Sequence, residues 1–201
     1  MKNIKQNKKI NILLISCYEL GNQPIQTASL HAFLKSYSYS PKVLDLSTQK
    51  INPKEVQNCN FIAISTPMHT ALTIAVEATK IIRKVNKECH ICFYGDYADL
   101  NSKYLLKNIA DSCLSGETQK SILEIINSIE TSSKEVTEKK NIYKNSIRLI
   151  EKPDFRTPER SLLPTLSNYN KLINDQTYIT TAAVETSRGC KHQCLHCPIT
   201  P

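Results

Sequence analysis

Residues 61–85 read FIAISTPMHTALTIAVEATKIIRKV. The first five, Phe61 to Ser65, form an apolar run without alternation, as expected of a strand covered on both faces. From Thr70 to Val85 the period changes, and Ile74, Ala78, Ile81, Ile82 and Val85 are expected on one helical face. A buried strand feeding an amphipathic helix is one βα unit, and such units build parallel sheets because parallel strands need crossovers.

The same alternation extends in both directions. Ile10 to Ser16 is a second buried-strand run, closed by the turn-like Glu19-Leu20-Gly21-Asn22. Thr27 to Lys35 carries Ala28, Leu30, Ala32, Phe33 and Leu34 near helical spacing, and Pro41 marks the turn into a strand at Lys42 to Leu46. Downstream, His90 to Tyr94 reads as a strand ending at Gly95, and Asp99 to Lys107 as a helix. Ser112 to Leu114 reads as a short strand before Ser115-Gly116-Glu117, and Ser121 to Ile129 as a helix with Ile122, Leu123, Ile125, Ile126 and Ile129. This pattern predicts an α/β fold over residues 1–130, a Rossmann-like or flavodoxin-like parallel sheet with helices on both faces.

In such sheets ligands lie beyond the carboxyl ends of the strands. That rule nominates the loops at Tyr18 to Gln23, Ser65 to Thr70, Tyr94 to Tyr97 and Ser115 to Thr118. Within them Tyr18, Glu19, Ser65, Thr66, His69, Gly95 and Gly116 are the candidate contacts. A hydrogen-bonded loop histidine is an equal reading of His69, and Glu117 reads first as an acidic residue favoured by a helix dipole.

From Thr131 the apolar periodicity fades into Ser, Thr, Lys and Glu, with Pro153, Pro158 and Pro164 beyond. Residues 131–177 are therefore expected to be a linker. A second unit, 178–201, opens with a strand expected from Tyr178 to Val184 that runs into Glu185-Thr186-Ser187-Arg188-Gly189-Cys190.

Composition narrows the setting. The net charge of +8 is divided between a tail holding Lys2, Lys5, Lys8 and Lys9 and the stretch 134–160, where acidic residues interleave. That is a solvated lysine-rich surface rather than a nucleic-acid interface. No run reaches the roughly 18 to 20 apolar residues of a membrane span, and no secretory signal precedes the first strand. A cytoplasmic chain is expected, so its eight cysteines should not form a disulfide framework. Cys17, Cys59, Cys89, Cys92 and Cys113 are scattered through apolar segments and read as packing residues. Cys89-His90-Ile91-Cys92 has redox spacing, but residues of a buried strand point alternately to opposite faces.

Cys190, Cys194 and Cys197 differ from these, standing together as CxxxCxxC in Cys190-Lys191-His192-Gln193-Cys194-Leu195-His196-Cys197. Three thiolates on a short loop can ligate three irons of a [4Fe-4S] cluster and leave the fourth without a protein ligand, whereas electron-transfer clusters use four cysteines. An open metal position is where a substrate or cofactor coordinates. The competing reading is a structural zinc site completed by His192 or His196.

A strand entering Ser187-Arg188-Gly189 and then CxxxCxxC resembles the radical SAM superfamily. The resemblance implies that S-adenosylmethionine chelates the open iron and is cleaved to a 5′-deoxyadenosyl radical. It also implies that Cys190, Cys194 and Cys197 ligate the cluster, that His196 lies beside the adenine, and that ferredoxin or flavodoxin supplies the electron. A Rossmann-like domain ahead of the motif is similar to the cobalamin-binding class of these enzymes. The wording Ile15-Ser16-Cys17-Tyr18-Glu19-Leu20-Gly21-Asn22-Gln23-Pro24, with Pro67-Met68-His69-Thr70 and Cys92-Phe93-Tyr94-Gly95, resembles the CUAEP/CCAEP-tail radical SAM proteins, some of which are selenoproteins.

The chain departs from that pattern in its cobalamin determinants and in its length. No DxHxxG sequence supplies a lower-axial histidine for cobalamin, and Asp96 follows Gly95 where related domains pair glycines. A (β/α) barrel also needs roughly 200 residues to build a site from several strand ends, so a truncated barrel, hence an N-terminal fragment inactive by itself, is expected. The alternative expectation is a non-catalytic Rossmann-like module that binds cobalamin or a partner, with a vestigial or zinc-binding cysteine loop.

Overall fold

The computed structural model describes residues 10–131, 142–145 and 156–187, together with His192 and Cys194. Strands β1 (Ile12–Ser16), β2 (Lys42–Asp45), β3 (Phe61–Ser65), β4 (His90–Tyr94), β5 (Ser112–Ser115) and β6 (Ile142–Asn145) form one sheet in the order β2-β1-β3-β4-β5-β6. Every pairing is parallel. The connections are helical: α1 (Ile25–Ser36), α2 (Pro53–Gln57), α3 (His69–Val85), α4 (Asp96–Leu100), α5 (Ser102–Asn108) and α6 (Gln119–Thr131).

The sheet separates two cores, as expected when strands lack alternation. On one face Leu13, Ile15, Ile62, Ile64, Ile91 and Phe93 meet Val56 of α2, Ala71, Leu72, Ala75 and Ile82 of α3, Ala98 of α4 and Leu105 of α5. On the other, Leu14, Phe61, Ala63 and Leu114 meet Leu30, Phe33 and Leu34 of α1 and Ile122, Ile125 and Ile126 of α6. Each large apolar side chain removed from water in this way contributes about 1.5–3 kcal/mol. The expected mixed α/β architecture with a helix-flanked parallel sheet is what the chain forms.

Several local expectations need correction. Ile81, expected on the buried face of α3, is 48% exposed; the inward stripe is Ala71, Leu72, Ala75, Ala78, Thr79 and Ile82. The helix expected at Asp99 to Lys107 is two, because the chain leaves helical geometry at Asn101 (φ −113, ψ 14). Helix α2 is an addition to the expected elements, although its cap is local: Asn52 accepts a hydrogen bond from the Lys54 amide at 3.1 Å and proline occupies the first turn.

The region expected to be a linker differs most. Residues 142–145 add strand β6 to the sheet edge, and residues 156–170 lie against the domain, where Glu159 N donates to Ala28 O (3.0 Å) and Asn170 N to Gly21 O (2.9 Å). Polar composition suggests solvation, but these polar groups are paired with the domain's own loops and helices. The strand expected from Tyr178 to Val184 is confined to β8 (Thr177–Thr180), which pairs antiparallel with β7 (Lys171–Asn174). Asp175, with φ 52, makes the turn between them. Both strands are exposed throughout. No described helix is long and apolar enough to cross a membrane.

Candidate functional site

In the observed strand order, the connections from β1 and from β3 leave in opposite directions. The crevice beyond the carboxyl ends of β1 and β3 is therefore the topological switch point, where folds of this order hold ligands. The loops meeting there are Cys17 to Pro24 after β1 and Thr66 to Met68 after β3, with Gly95 and its successors beside them.

The β1 loop is organised by Glu19. Its Oε2 accepts a hydrogen bond from the Ile25 amide at 2.9 Å, placing a carboxylate at the N-terminus of α1, where unpaired amides and the helix dipole favour negative charge. Its Oε1 is sealed from solvent and has no hydrogen-bond partner among the described residues. Burial outweighs the helix amides, and the Asp45 carboxylate opposes a second negative charge, so the Glu19 pKa is pushed up to about 7. Tyr18 is half-buried and packs against the apolar core.

Ser65 and Thr66 sit at the edge as expected, but their hydroxyls point inward. Ser65 Oγ donates to Gln26 Oε1 at 3.2 Å and Thr66 Oγ1 to the Tyr94 carbonyl at 3.1 Å, and both residues are fully buried. They brace the loops rather than face solvent. Gly95 (φ +109) continues that bracing: a Cβ there would lie 3.1 Å from the Thr66 carbonyl oxygen, so only glycine lets the β4 loop approach the β3 loop unstrained. His69 and Gly116 are the exposed members of the expected set, and the His69 ring meets Tyr97 edge-on with centroids 6.4 Å apart. Glu117 precedes α6 by two positions, compatible with its expected place at a helix N-terminus.

Asp45, which sequence reasoning does not nominate, and Gln23, the last residue of the nominated β1 loop, complete this edge. Asp45, fully buried at the end of β2, accepts hydrogen bonds from Ser47 and, at 2.7 Å, from the Tyr169 hydroxyl. Gln23, also buried, donates to the Pro164 carbonyl at 2.9 Å and accepts from Arg160 at 3.0 Å. The β1–β2 part of the edge is thus covered by residues 156–170, while the β3–β5 loops with His69, Tyr97 and Gly116 stay accessible.

The five scattered cysteines are buried, as their apolar surroundings predict. Cys17, Cys92 and Cys113 have thiols pushed up to about 12 and Cys59 and Cys89 to about 11, in each case chiefly by burial. All five thiols lie within the two apolar cores, as expected of packing residues. Cys89 and Cys92 belong to the cores on opposite faces of the sheet, which explains why their CxxC spacing builds no redox pair. Cys194, by contrast, is exposed, and so is His192 beside it. Cys190, His196 and Cys197 lie outside the described residues. Among the described residues no group of three or more His, Cys, Asp or Glu side chains is placed to hold a metal. A donor set of three thiols suits iron–sulfur or zinc chemistry and gives no site for hard, oxygen-seeking cations.

What the fold and its edge define is a doubly wound α/β domain with a flavodoxin-like strand order and a partly covered switch-point crevice. Set against known protein families and curated proteins, the chain matches neither a family model nor a curated sequence.

Proposed function

We propose that the chain is the N-terminal part of a radical SAM enzyme whose Cys190, Cys194 and Cys197 hold a [4Fe-4S] cluster. The observation that carries this reading is the CxxxCxxC loop, three thiols where a fully protein-ligated cluster needs four. Support comes from the positions of the cysteines: the other five are packed into the two cores, whereas Cys194 stands in solvent.

When bound, the cluster supplies a low-potential electron and an open iron for S-adenosylmethionine. The chain's own residues do the rest. Cys190, Cys194 and Cys197 would hold the iron, Arg188 and Lys191 would add positive charge beside them in the sequence to offset a negative cluster, and His196 would be the residue for the adenine side. The α/β domain presents the His69, Tyr97 and Gly116 edge to a second ligand, for which cobalamin is the candidate. Ferredoxin or flavodoxin is the proposed reductant, and the substrate acted on by the radical is left open.

Anaerobic reconstitution with ferrous iron and sulfide tests the reading. About four irons and four sulfides per chain, with a broad brown absorption band, are expected. A colourless protein that takes up a single zinc ion, held by the same cysteines and a histidine, would replace the enzyme reading with that of a structural module.

A further inference from the structure

Residues 156–170 make contacts that a simple tether does not need. Arg160 is central to them because its guanidinium donates in two directions. One nitrogen reaches Gln23 Oε1 in the β1–α1 loop at 3.0 Å, and the other reaches the Ala183 carbonyl at 2.8 Å. Ala183 lies on the segment that leads through Ser187 into Cys190. One side chain therefore joins the carboxyl edge of the sheet, the segment 156–170 and the chain approaching the cysteine loop.

The surrounding contacts show that the segment has a specific seat. The Tyr169 hydroxyl occupies the Asp45 carboxylate at 2.7 Å. Asn170 donates its amide to Gly21 O at 2.9 Å and its side-chain nitrogen to Leu20 O at 2.7 Å, and its own carbonyl accepts from Thr181 Oγ1 at 3.1 Å. Gly21 (φ +75) is the complementary feature: a Cβ there would run into the Asn170 side chain, so the loop has glycine where the segment crosses it. In the related dinucleotide-binding sheets an acidic residue after the first βα unit holds a ribose and the first helix N-terminus holds phosphate. Here Tyr169 supplies the hydroxyl and Glu19 the carboxylate, so the chain fills those positions itself.

We propose that residues 156–170 are an internal clamp and that Arg160 is its positioning residue, holding the chain that approaches Cys190 in one fixed relation to the α/β domain. The clamp closes the β1–β2 part of the crevice and leaves the β3–β5 edge as the ligand face. It does not depend on the metal at the cysteine loop, so it stands or falls separately from the iron–sulfur reading. A planar guanidinium with several donors can hold two acceptors in a fixed fork, whereas a lysine ammonium on a flexible stem does not reproduce that geometry.

The test is a distance measurement on the metal-free full chain. Nitroxides are attached through a ketone-bearing unnatural amino acid at Val184 and Tyr104, which are 76% and 60% exposed, and pulsed dipolar spectroscopy reads the separation. The unsubstituted Arg160 protein should give one narrow distribution. Arg160→Ala and Arg160→Lys should both lose it for a broad one, while the circular dichroism of the α/β domain is unchanged. Lys35→Ala, which removes only the exposed ion pair to Glu159 on the same segment, should keep the narrow distribution. A narrow distribution that survives Arg160→Ala, or a broad one before any substitution at Arg160, overturns the proposal. Should Arg160→Ala fail to fold, Arg160→Lys and Tyr169→Phe decide the matter by the same readout.

Discussion

Replacing Glu19 with glutamine should make the protein more stable at alkaline pH and remove part of its pH dependence. The carboxyl is enclosed between the β1 loop and α1, with one oxygen on the Ile25 amide and the other without a partner among the described residues. Burial first, and the Asp45 carboxylate besides, raise its pKa from 4.5 to about 7, against the lowering effect of the Ile25 and Gln26 amides and of Arg160. The unfolded chain gives up this proton near the ordinary glutamate value, whereas the folded chain keeps it until the pH approaches 7. Between those values the folded state binds more protons than the unfolded one, so stability is greatest at the acidic end and falls as pH rises through the window. At about 1.4 kcal/mol per decade of pKa difference, the loss by pH 8 is on the order of 3 kcal/mol. Glutamine keeps an acceptor for the Ile25 amide and carries no charge. The two proteins should be nearly equal at about pH 4, and Glu19→Gln should gain on the parent by about 3 kcal/mol at about pH 8. Because the chain has no tryptophan, the assay is urea unfolding followed by far-ultraviolet circular dichroism, with reductant and chelator present and ionic strength held constant. Titrating groups that do not interact with Glu19 cancel in the difference between the proteins. A difference that stays flat with pH, or a variant that is the weaker protein at pH 8, would refute the assignment of a buried, high-pKa carboxyl to Glu19.

Other named contacts carry three more expected outcomes. Gly95→Ala forces a Cβ to 3.1 Å from the Thr66 carbonyl at φ +109, and should cost about 1–3 kcal/mol in urea unfolding; a change within about 0.5 kcal/mol, ordinary for a surface site, would contradict it. Tyr169→Phe removes the hydroxyl from Asp45 at 2.7 Å, and a loss of about 1.5–3 kcal/mol is expected for a hydrogen bond to a charged group, with an unchanged melting curve as the contrary result. Cys194→Ala should abolish iron uptake in anaerobic reconstitution while leaving the circular dichroism of the α/β domain intact, since this exposed residue is no part of either core. Global unfolding of that variant would show that the loop supports the core after all.

Strands β1, β3 and β4 are legible in the sequence because every one of their residues is buried, so they appear as runs without polar alternation. Helix positions are legible but not always their inward faces: Ile81 looks like a core residue by type, and only the packing against the sheet turns it outward. Helix α2 is too short to show a period, though Asn52 and Pro53 mark where it starts. The docking of residues 156–170 is not legible at all. A hydrogen bond from Tyr169 to Asp45 spans 124 residues, and nothing in the local composition of either partner announces it. The same holds for the inward turn of Ser65 and Thr66, which depends on Gln26 and Tyr94 from other elements. The cysteine loop is the opposite case, since metal-ligand spacing is a property of neighbouring positions and can be read directly.

The most direct measurement is Mössbauer spectroscopy of protein reconstituted with isotopically enriched iron, recorded with and without S-adenosylmethionine. A cubane in which one iron alone changes its spectrum on addition of the nucleoside is the predicted result. Four irons that remain alike and unmoved, or iron that fails to assemble at Cys190, Cys194 and Cys197, would contradict the account.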